Sequence, residues 1–317
     1  MSQAPNPTPE QVAILLATYQ GAKYLPAQLN SFSWQTYPHW QLWASDDGSH
    51  DNTLEILQHY QQACSNQVVL RTGPNRGFAE NFMHMVTDPT IQADYYAYSD
   101  QDDVWEPDKL MRAITMLRQF GSQQPALYCS RTSLINAHDR HLGYAHPRGK
   151  PGKFGNALVH NIASGNTMVF NNAARQLLLH TPQSSSLSYH DWWTYIVISC
   201  YGGSVYYDYE PTVRYRQHDN NVTGYRAGVQ QHLQRLKYVI ANQYKQAIDD
   251  YCQSLLTLIN INNRAVPPEH RALLTQFIEV RKAGLLRKLR YIPTAKIYHQ
   301  DKIGNLGMYL LLILGKM

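Results

Sequence analysis

At 317 residues with a net charge of +5, the chain is long enough for one large core plus a smaller extension. Its four cysteines (Cys64, Cys129, Cys200, Cys252) show no CxxC spacing, which speaks against zinc sites and a disulfide framework. The polar, Pro-rich lead Met1–Gln11 lacks the cationic start and apolar core of a signal peptide, so a reduced, cytosolic protein is predicted.

Gln11 to Thr18 reads as a buried strand and Leu25 to Trp34 as a helix. Trp40 to Ala44 is a second strand, ending in Ser45-Asp46-Asp47-Gly48-Ser49. A helix over Thr53 to Gln62 follows, with Asp51 or Asn52 as its cap. Val68 to Arg71, a helix over Gly77 to Val86, and Tyr95 to Ser99 continue the alternation. Pro107 opens a further helix running to about Phe120. Strand–helix alternation with short apolar strands predicts an α/β fold, a mainly parallel sheet covered by helices on both faces. Leu127 to Arg216 is strand- and loop-rich, with Tyr189-His190-Asp191-Trp192-Trp193 opening a helix. Beyond Gly228 the chain turns helical and polar, and Pro267-Pro268 breaks it. The 23 tyrosines suit sugar-like surfaces, and suit strands as well.

Arg281 to Lys302 holds seven Lys/Arg and one acid, Asp301, leaving the rest of the chain near neutral. A nucleic-acid binder would carry its positive charge along the main domain. Drawn as a helix, this segment puts Leu285, Leu286, Leu289 and Ile292 near one face, with Arg287, Lys288 and Arg290 away from it. It would lie on an anionic membrane surface, or else close the domain as an ordinary helix. Leu306 to Leu314 is far short of the about 20 residues that span a bilayer.

The densest chemistry is in Ser99-Asp100-Gln101-Asp102-Asp103-Val104-Trp105. Three carboxylates within four positions repel one another unless a cation sits among them, and Mg²⁺ or Mn²⁺ prefer such oxygens. A metal there would hold a nucleotide diphosphate and stabilise it as a leaving group. Asp46 and Asp47 fall at another strand's carboxyl end, the edge where ligands sit in such sheets. Taken alone they read equally as an acidic turn capping the next helix. His138, His141 and His146 lie in a polar loop without helical i, i+4 spacing and read as solvated.

The strings Val12–Tyr19, Asp46-Asp47-Gly48-Ser49-His50-Asp51-Asn52-Thr53, Asn75-Arg76-Gly77 and Asp100-Gln101-Asp102-Asp103 together resemble glycosyltransferases of family 2, with the GT-A fold, over roughly residues 12 to 225. Ser-Asp-Gln-Asp-Asp-Val-Trp and Tyr-Arg-Gln-His-Asp-Asn-Asn look like the bacterial branch that builds surface polysaccharides, which includes rhamnosyltransferases. The resemblance implies that Thr18 and Tyr19 line the base and ribose. Asp47 would accept the imide N–H of uracil or thymine, favouring UDP or dTDP. Arg76 would offset phosphate or stack on the base. Asp102 would bind Mn²⁺ or Mg²⁺, Asp100 would reach the ribose or the metal's water shell, and Asp103 would be structural. His218 would be a metal ligand in a late loop, and Arg216 would face the phosphates.

Asp191 would be the base that takes the acceptor proton while the anomeric bond to diphosphate breaks, inverting that centre; otherwise it caps the helix opening at Trp192. The family usually shows Glu-Asp here, where this chain has His190-Asp191. His190 and Trp192 would meet the acceptor, with Trp192 or Trp193 given to the core. Gly165 and Asn166 resemble the acceptor-site floor, where a small residue permits close approach. The QxxRW string of processive members is missing from this position.

The resulting expectation is a lead (1–11), a catalytic domain (12–225, with a nucleotide half 12–125 and an acceptor half 126–225) and a helical extension (226–317) contacting membrane. The chain would be a metal-dependent inverting glycosyltransferase, peripheral on the inner face of the cell membrane. It would move a sugar such as rhamnose from a UDP- or dTDP-sugar to a glycan or lipid-linked saccharide. A sugar-phosphate nucleotidyltransferase and a non-catalytic glycan-binding protein are the rival readings, and neither rests on nucleic acid.

Overall fold

A computed structural model describes residues 9–182, 187–218, 242–262 and 264–317. Four short apolar strands open the fold: β1 (Val12–Thr18), β2 (Trp40–Asp46), β3 (Val68–Thr72) and β4 (Tyr95–Ser99). All three pairings among them are parallel. Helices α1 (Leu25–Ser33), α2 (Thr53–Ala63) and α3 (Phe78–Thr87) make the crossovers, and α4 (Lys109–Leu117) follows a two-residue strand, β5 (Val104–Trp105). Pro107 lies just outside α4, whose cap position is Asp108, and the stretch to Phe120 tightens into a 3₁₀ turn.

The second half contributes β6 (Ala126–Asn136), β7 (His141–Tyr144), α5 (Phe154–Ala157), β8 (Val169–Asn171), α6 (Asn172–Leu178), α7 (His190–Cys200) and β9 (Ser204–Gln217). Among the described residues the strands form one sheet in the order β3-β2-β1-β4-β8-β6-β9-β5, with β7 paired to β6. The expectation of a mainly parallel sheet holds for the first four strands. Beyond β4 the pairing is mixed: β8 runs antiparallel to β4 and β6, and β5 antiparallel to β9, while β6 and β9 are parallel. Among these later strands only β6 and β7 form a hairpin; helices lie between β5 and β6, β7 and β8, and β8 and β9, and yet the pairing is not uniformly parallel.

Period-two alternation divides each central strand between two cores. Ala13, Leu15, Ala17, Tyr96 and Tyr98 face the side covered by α3, α6 and α7. Val12, Ile14, Leu16, Tyr95 and Ala97 face α1 and α4. Several tyrosines are core residues whose hydroxyls find internal partners: Tyr98 with Thr194, Tyr128 with Asp208, Tyr195 with Asn156.

The C-terminal helices are α8 (Gln243–Ile261), α9 (Pro268–Lys282), α10 (Leu285–Tyr291) and α11 (Lys302–Ile313). Pro268 occupies the first turn of α9, where its missing N–H costs nothing. Tyr251, Leu255, Phe277 and Leu312 join the same core cluster as α7, so these helices close the α7 face of the sheet. Lys288, expected to be exposed, is buried, and Ile292 falls outside α10. No helix among the described residues is long and apolar enough to cross a membrane. The expected 225/226 boundary and the Asp219-Asn220-Asn221 end of the Tyr215 string lie outside the described residues.

Candidate active site

Parallel pairing brings the carboxyl ends of β1, β2 and β4 side by side, and two acidic turns, after β2 and after β4, leave from this edge. Asp46 is the organiser of its own turn. It accepts from Thr18 Oγ1 at 2.9 Å, Ser49 Oγ at 2.6 Å and the Ser49 N–H at 2.8 Å. Thr18, expected to line the base and ribose, is buried, with its hydroxyl donated to Asp46. The same turn docks on Gln20–Ala22: Gln20 N–H donates to Ser49 Oγ, Gly21 N–H to Thr53 Oγ1 and Ala22 N–H to Asp51 Oδ2.

Asp47 holds the loop between β3 and α3, accepting the Asn75 N–H at 2.6 Å and the Gly77 N–H at 2.7 Å. Each oxygen keeps a second acceptor direction, so a ligand N–H is still chemically admissible there. Arg76, on that loop, projects into solvent and, among the described residues, pairs with Glu80 at 3.6 Å. Tyr19 is exposed, and its peptide is clamped on both sides by Gln101, which accepts its N–H and donates to its carbonyl, each at 2.8 Å. Gln101 went unread in the sequence although it sits inside the acidic string. A Cβ at Gly21 would fall 2.1 Å from Gln101 Oε1, so a larger residue there would push this clamp aside.

The acidic loop after β4 is crowded. Burial, and then the neighbouring Asp103, Asp102 and Asp191, push the Asp100 carboxyl well above the usual range. Burial first, and Asp102 second, raise Asp103 to about 8. Asp103 is fully buried and accepts from Asn166 Nδ2 at 2.6 Å and from the Arg216 N–H at 3.0 Å, matching its expected structural part. Asp102 Oδ2 lies 2.7 Å from His218 Nε2, and the His218 ring stacks on Tyr24 at 4.9 Å. Arg216 does not face an open phosphate site. It is buried, donates to the Asp102 and Asn136 carbonyls, pairs with Asp139 and lies over Tyr24.

Asp102 and His218 offer a hard oxygen and an imidazole nitrogen side by side, with further carboxylates close behind, a donor set that suits Mn²⁺ or Mg²⁺. Among the described residues no three such side chains converge to cage an ion unaided. An ion here would take its remaining ligands from substrate phosphate and water, as Mg²⁺ commonly does.

On the other side of the acidic loop stands the N-terminus of α7. Asp191 accepts from the Gly165 N–H at 3.1 Å, from the Trp192 N–H at 2.6 Å and from the Asn161 side chain. Burial outweighs these bonds and raises its carboxyl to about 6.

The four residues expected to meet the acceptor are placed within the protein as follows. The space beside the Gly165 Cα is filled by the protein: an added Cβ would lie 2.8 Å from His190 Nε2 and 3.2 Å from Asp191 Cβ. The glycine thus gives room to the N-terminus of α7. Asn166 is buried and spans Asp103 and Ser164. His190 is 4% exposed, stacked on Phe82 at 4.0 Å and edge-on to Tyr98 at 4.7 Å, and burial lowers its pKa to about 3. Trp192 is 7% exposed, donates its indole N–H to the Ala157 carbonyl and packs on Tyr251, while Trp193 is fully buried.

A family profile described as glycosyl transferase family 2 matches residues 13–178. A dTDP-rhamnosyl transferase of Shigella flexneri, RfbG, is 28% identical over 262 residues, covering 78% of this chain and 87% of that protein. Among solved structures, Staphylococcus aureus TarS 1-349 in complex with UDP-GlcNAc superposes with a TM-score of 0.59 at 13% identity, covering 96% of this chain and 81% of the other. The mannosyltransferase PcManGT of Pyrobaculum calidifontis, in complex with GDP-Man and Mn²⁺, gives 0.52 at 16% identity, covering 99% and 88%. These structural likenesses concern the fold.

Proposed function

Because this chain belongs to glycosyl transferase family 2 and has the GT-A fold, we propose that it is a metal-dependent, inverting glycosyltransferase using a UDP- or dTDP-sugar such as dTDP-rhamnose. The acceptor in this reading is a hydroxyl of a bacterial surface polysaccharide or its lipid-linked precursor, met at the inner face of the cell membrane. Family membership sets aside the nucleotidyltransferase rival, and the gathered carboxylates speak against a purely binding protein. The RfbG likeness supports the donor, since that relative is named for dTDP-rhamnose transfer.

One observation carries the reading: Asp191, raised to about 6, stands across from the acidic loop, close enough that its charge acts on Asp100. A carboxyl with that pKa is ionised at neutral pH yet basic enough to accept a proton in the transition state. The acceptor O–H proton passes to Asp191 Oδ, the oxygen forms the new bond to the anomeric carbon, and the electrons of the old C–O bond leave with the diphosphate. Gly165 N–H and Asn161 aim the carboxylate. Asp102 and His218 would hold the divalent ion, whose chemistry is to neutralise charge developing on the leaving diphosphate. Asp100, Asp47 and the Tyr19 peptide line the adjacent strand ends and would receive the nucleoside.

The test is product analysis with a panel of nucleotide sugars and Mn²⁺. Transfer from dTDP-rhamnose to a rhamnan- or lipid-linked acceptor is expected. No release of any nucleoside diphosphate from the panel would refute the proposal.

A further inference from the structure

Helix α11 is apolar on two opposite sides. Met308 and Leu312 pack into the core, while Ile303, Leu306, Leu310 and Leu314 are 84, 72, 53 and 61% exposed. Their spacing of three, four and four residues puts these four on one outer stripe. The adjoining α10 exposes Leu285, Leu286 and Leu289. A helix that needed only to close the domain would be polar on its outer side.

The cations beside these stripes come from two distant parts of the chain. Lys150 donates its N–H to Gln300 Oε1 at 2.8 Å and its ammonium to the His299 carbonyl at 3.0 Å. Asn156 Nδ2 donates to the Tyr298 carbonyl, and Tyr298 Oη to the Pro151 carbonyl, each at 2.8 Å. This docking sets Arg148, Lys150 and Lys153 beside the stretch carrying Lys296 and Lys302, just ahead of α11. Among the described residues none of these five is in an ion pair. By contrast, Arg112, Arg118, Arg214 and Arg216 are each matched by a carboxylate.

We propose that the outer stripes of α10 and α11, with the cationic segments 148–153 and 296–302 beside them, form one docking face for an anionic lipid bilayer. Charge selects this occupant. A second copy across a two-fold axis would set these unmatched cations against one another, whereas a bilayer offers hydrocarbon for the leucines and anionic headgroups for the cations. The same segment reaches the candidate base: Asn156 Oδ1 and the Lys153 carbonyl accept from Tyr195 Oη, one turn along α7 from Asp191. Docking would therefore orient Asp191 towards a membrane-borne acceptor, a consequence that rests on the transferase reading, while the docking itself does not.

The experiment is co-sedimentation of the full chain with vesicles of phosphatidylcholine alone or with 40% phosphatidylglycerol. Binding at least tenfold stronger to the anionic vesicles is expected, falling about tenfold in Arg148→Glu/Lys150→Glu and more in Leu306→Glu/Leu310→Glu. Thermal shift by nucleotide with Mn²⁺ in each variant reports on folding and on the donor site separately. Equal binding to both vesicle types, or variants that bind like the parent, would overturn the proposal. So would a concentration-dependent dimer that Leu306→Glu dissolves.

Discussion

The side-chain amide of Asn166 donates to the buried carboxylate of Asp103 at 2.6 Å, and the N–H of Gly165, one residue earlier, donates to Asp191 at 3.1 Å. Two neighbouring residues in one 3₁₀ turn thus fasten the acidic loop on one side and the candidate base on the other. Lys109, fully buried and lowered to about 7 by burial, donates to the Asn166 carbonyl at 3.1 Å and braces the same turn from below. The separation of the two halves of the site is set by this turn.

Asn166→Ala should leave Asp103 with one of its two hydrogen bonds. A cost of about 1–3 kcal/mol is expected for an under-satisfied buried acceptor. Urea denaturation gives the stability change, and kcat should fall further than KM rises, because the base loses its alignment.

Asp191→Asn should keep nucleotide affinity and lower transfer by about 10²–10⁴, the usual contribution of a positioned base. In the parent protein kcat/KM should rise with pH through about 6, as the carboxyl loses its proton, and level off above. A rate flat from pH 5 to 7.5 in both proteins would remove Asp191 from the mechanism.

Gly165→Ala places a methyl 2.8 Å from His190 Nε2 and 3.2 Å from Asp191 Cβ. Overpacking of this kind costs about 1–3 kcal/mol. Displacement of the α7 N-terminus should suppress transfer while leaving the thermal shift by UDP or dTDP intact.

Asp102→Ala should weaken nucleotide diphosphate binding in the presence of Mn²⁺ and have little effect in its absence. Calorimetric titrations with and without the ion separate the two cases, and an unchanged Mn²⁺ dependence would exclude the Asp102–His218 pair as the ion's seat.

His190 bears on acid stability. The unfolded imidazole takes up a proton near 6.5, whereas burial holds the folded one down to about 3. Between these values the unfolded state binds more protons, so this residue contributes a loss of stability as pH falls. His190→Leu should lose less stability than the parent between pH 6.5 and 4.5 in urea titrations.

Deleting residues 281–317 to test membrane contact is a poor experiment on this fold. It would strip Tyr291, Ile297, Met308 and Leu312 from the main core along with the exposed stripe. Point substitutions on the outer leucines separate the two effects.

The first four strands, their crossovers and the acidic turns were legible because each is local. An apolar run of five to seven residues followed by Asp-Asp-Gly-Ser or Asp-Gln-Asp-Asp already contains its strand, its turn and its charge. Which polar residues stay open to a ligand was not legible. Asn166, His190 and Arg216 look like site residues in the sequence, and all three are sealed inside by neighbours roughly 60 to 110 positions away. Composition left the tyrosines open between sugar-like surfaces and strands, and several of them serve the core.

Hydrophobic alternation and turn chemistry, both short-range, were enough to announce a nucleotide-type sheet with carboxylates at its edge. Burial is a property of the packed whole. Only the folded chain decided that Gly165 yields space to α7, that Trp192 packs in the core, and that Lys150 stands with the C-terminal cations. The physical reason is that solvent exclusion depends on every element that comes to rest against a residue, and those elements arrive from anywhere in the sequence.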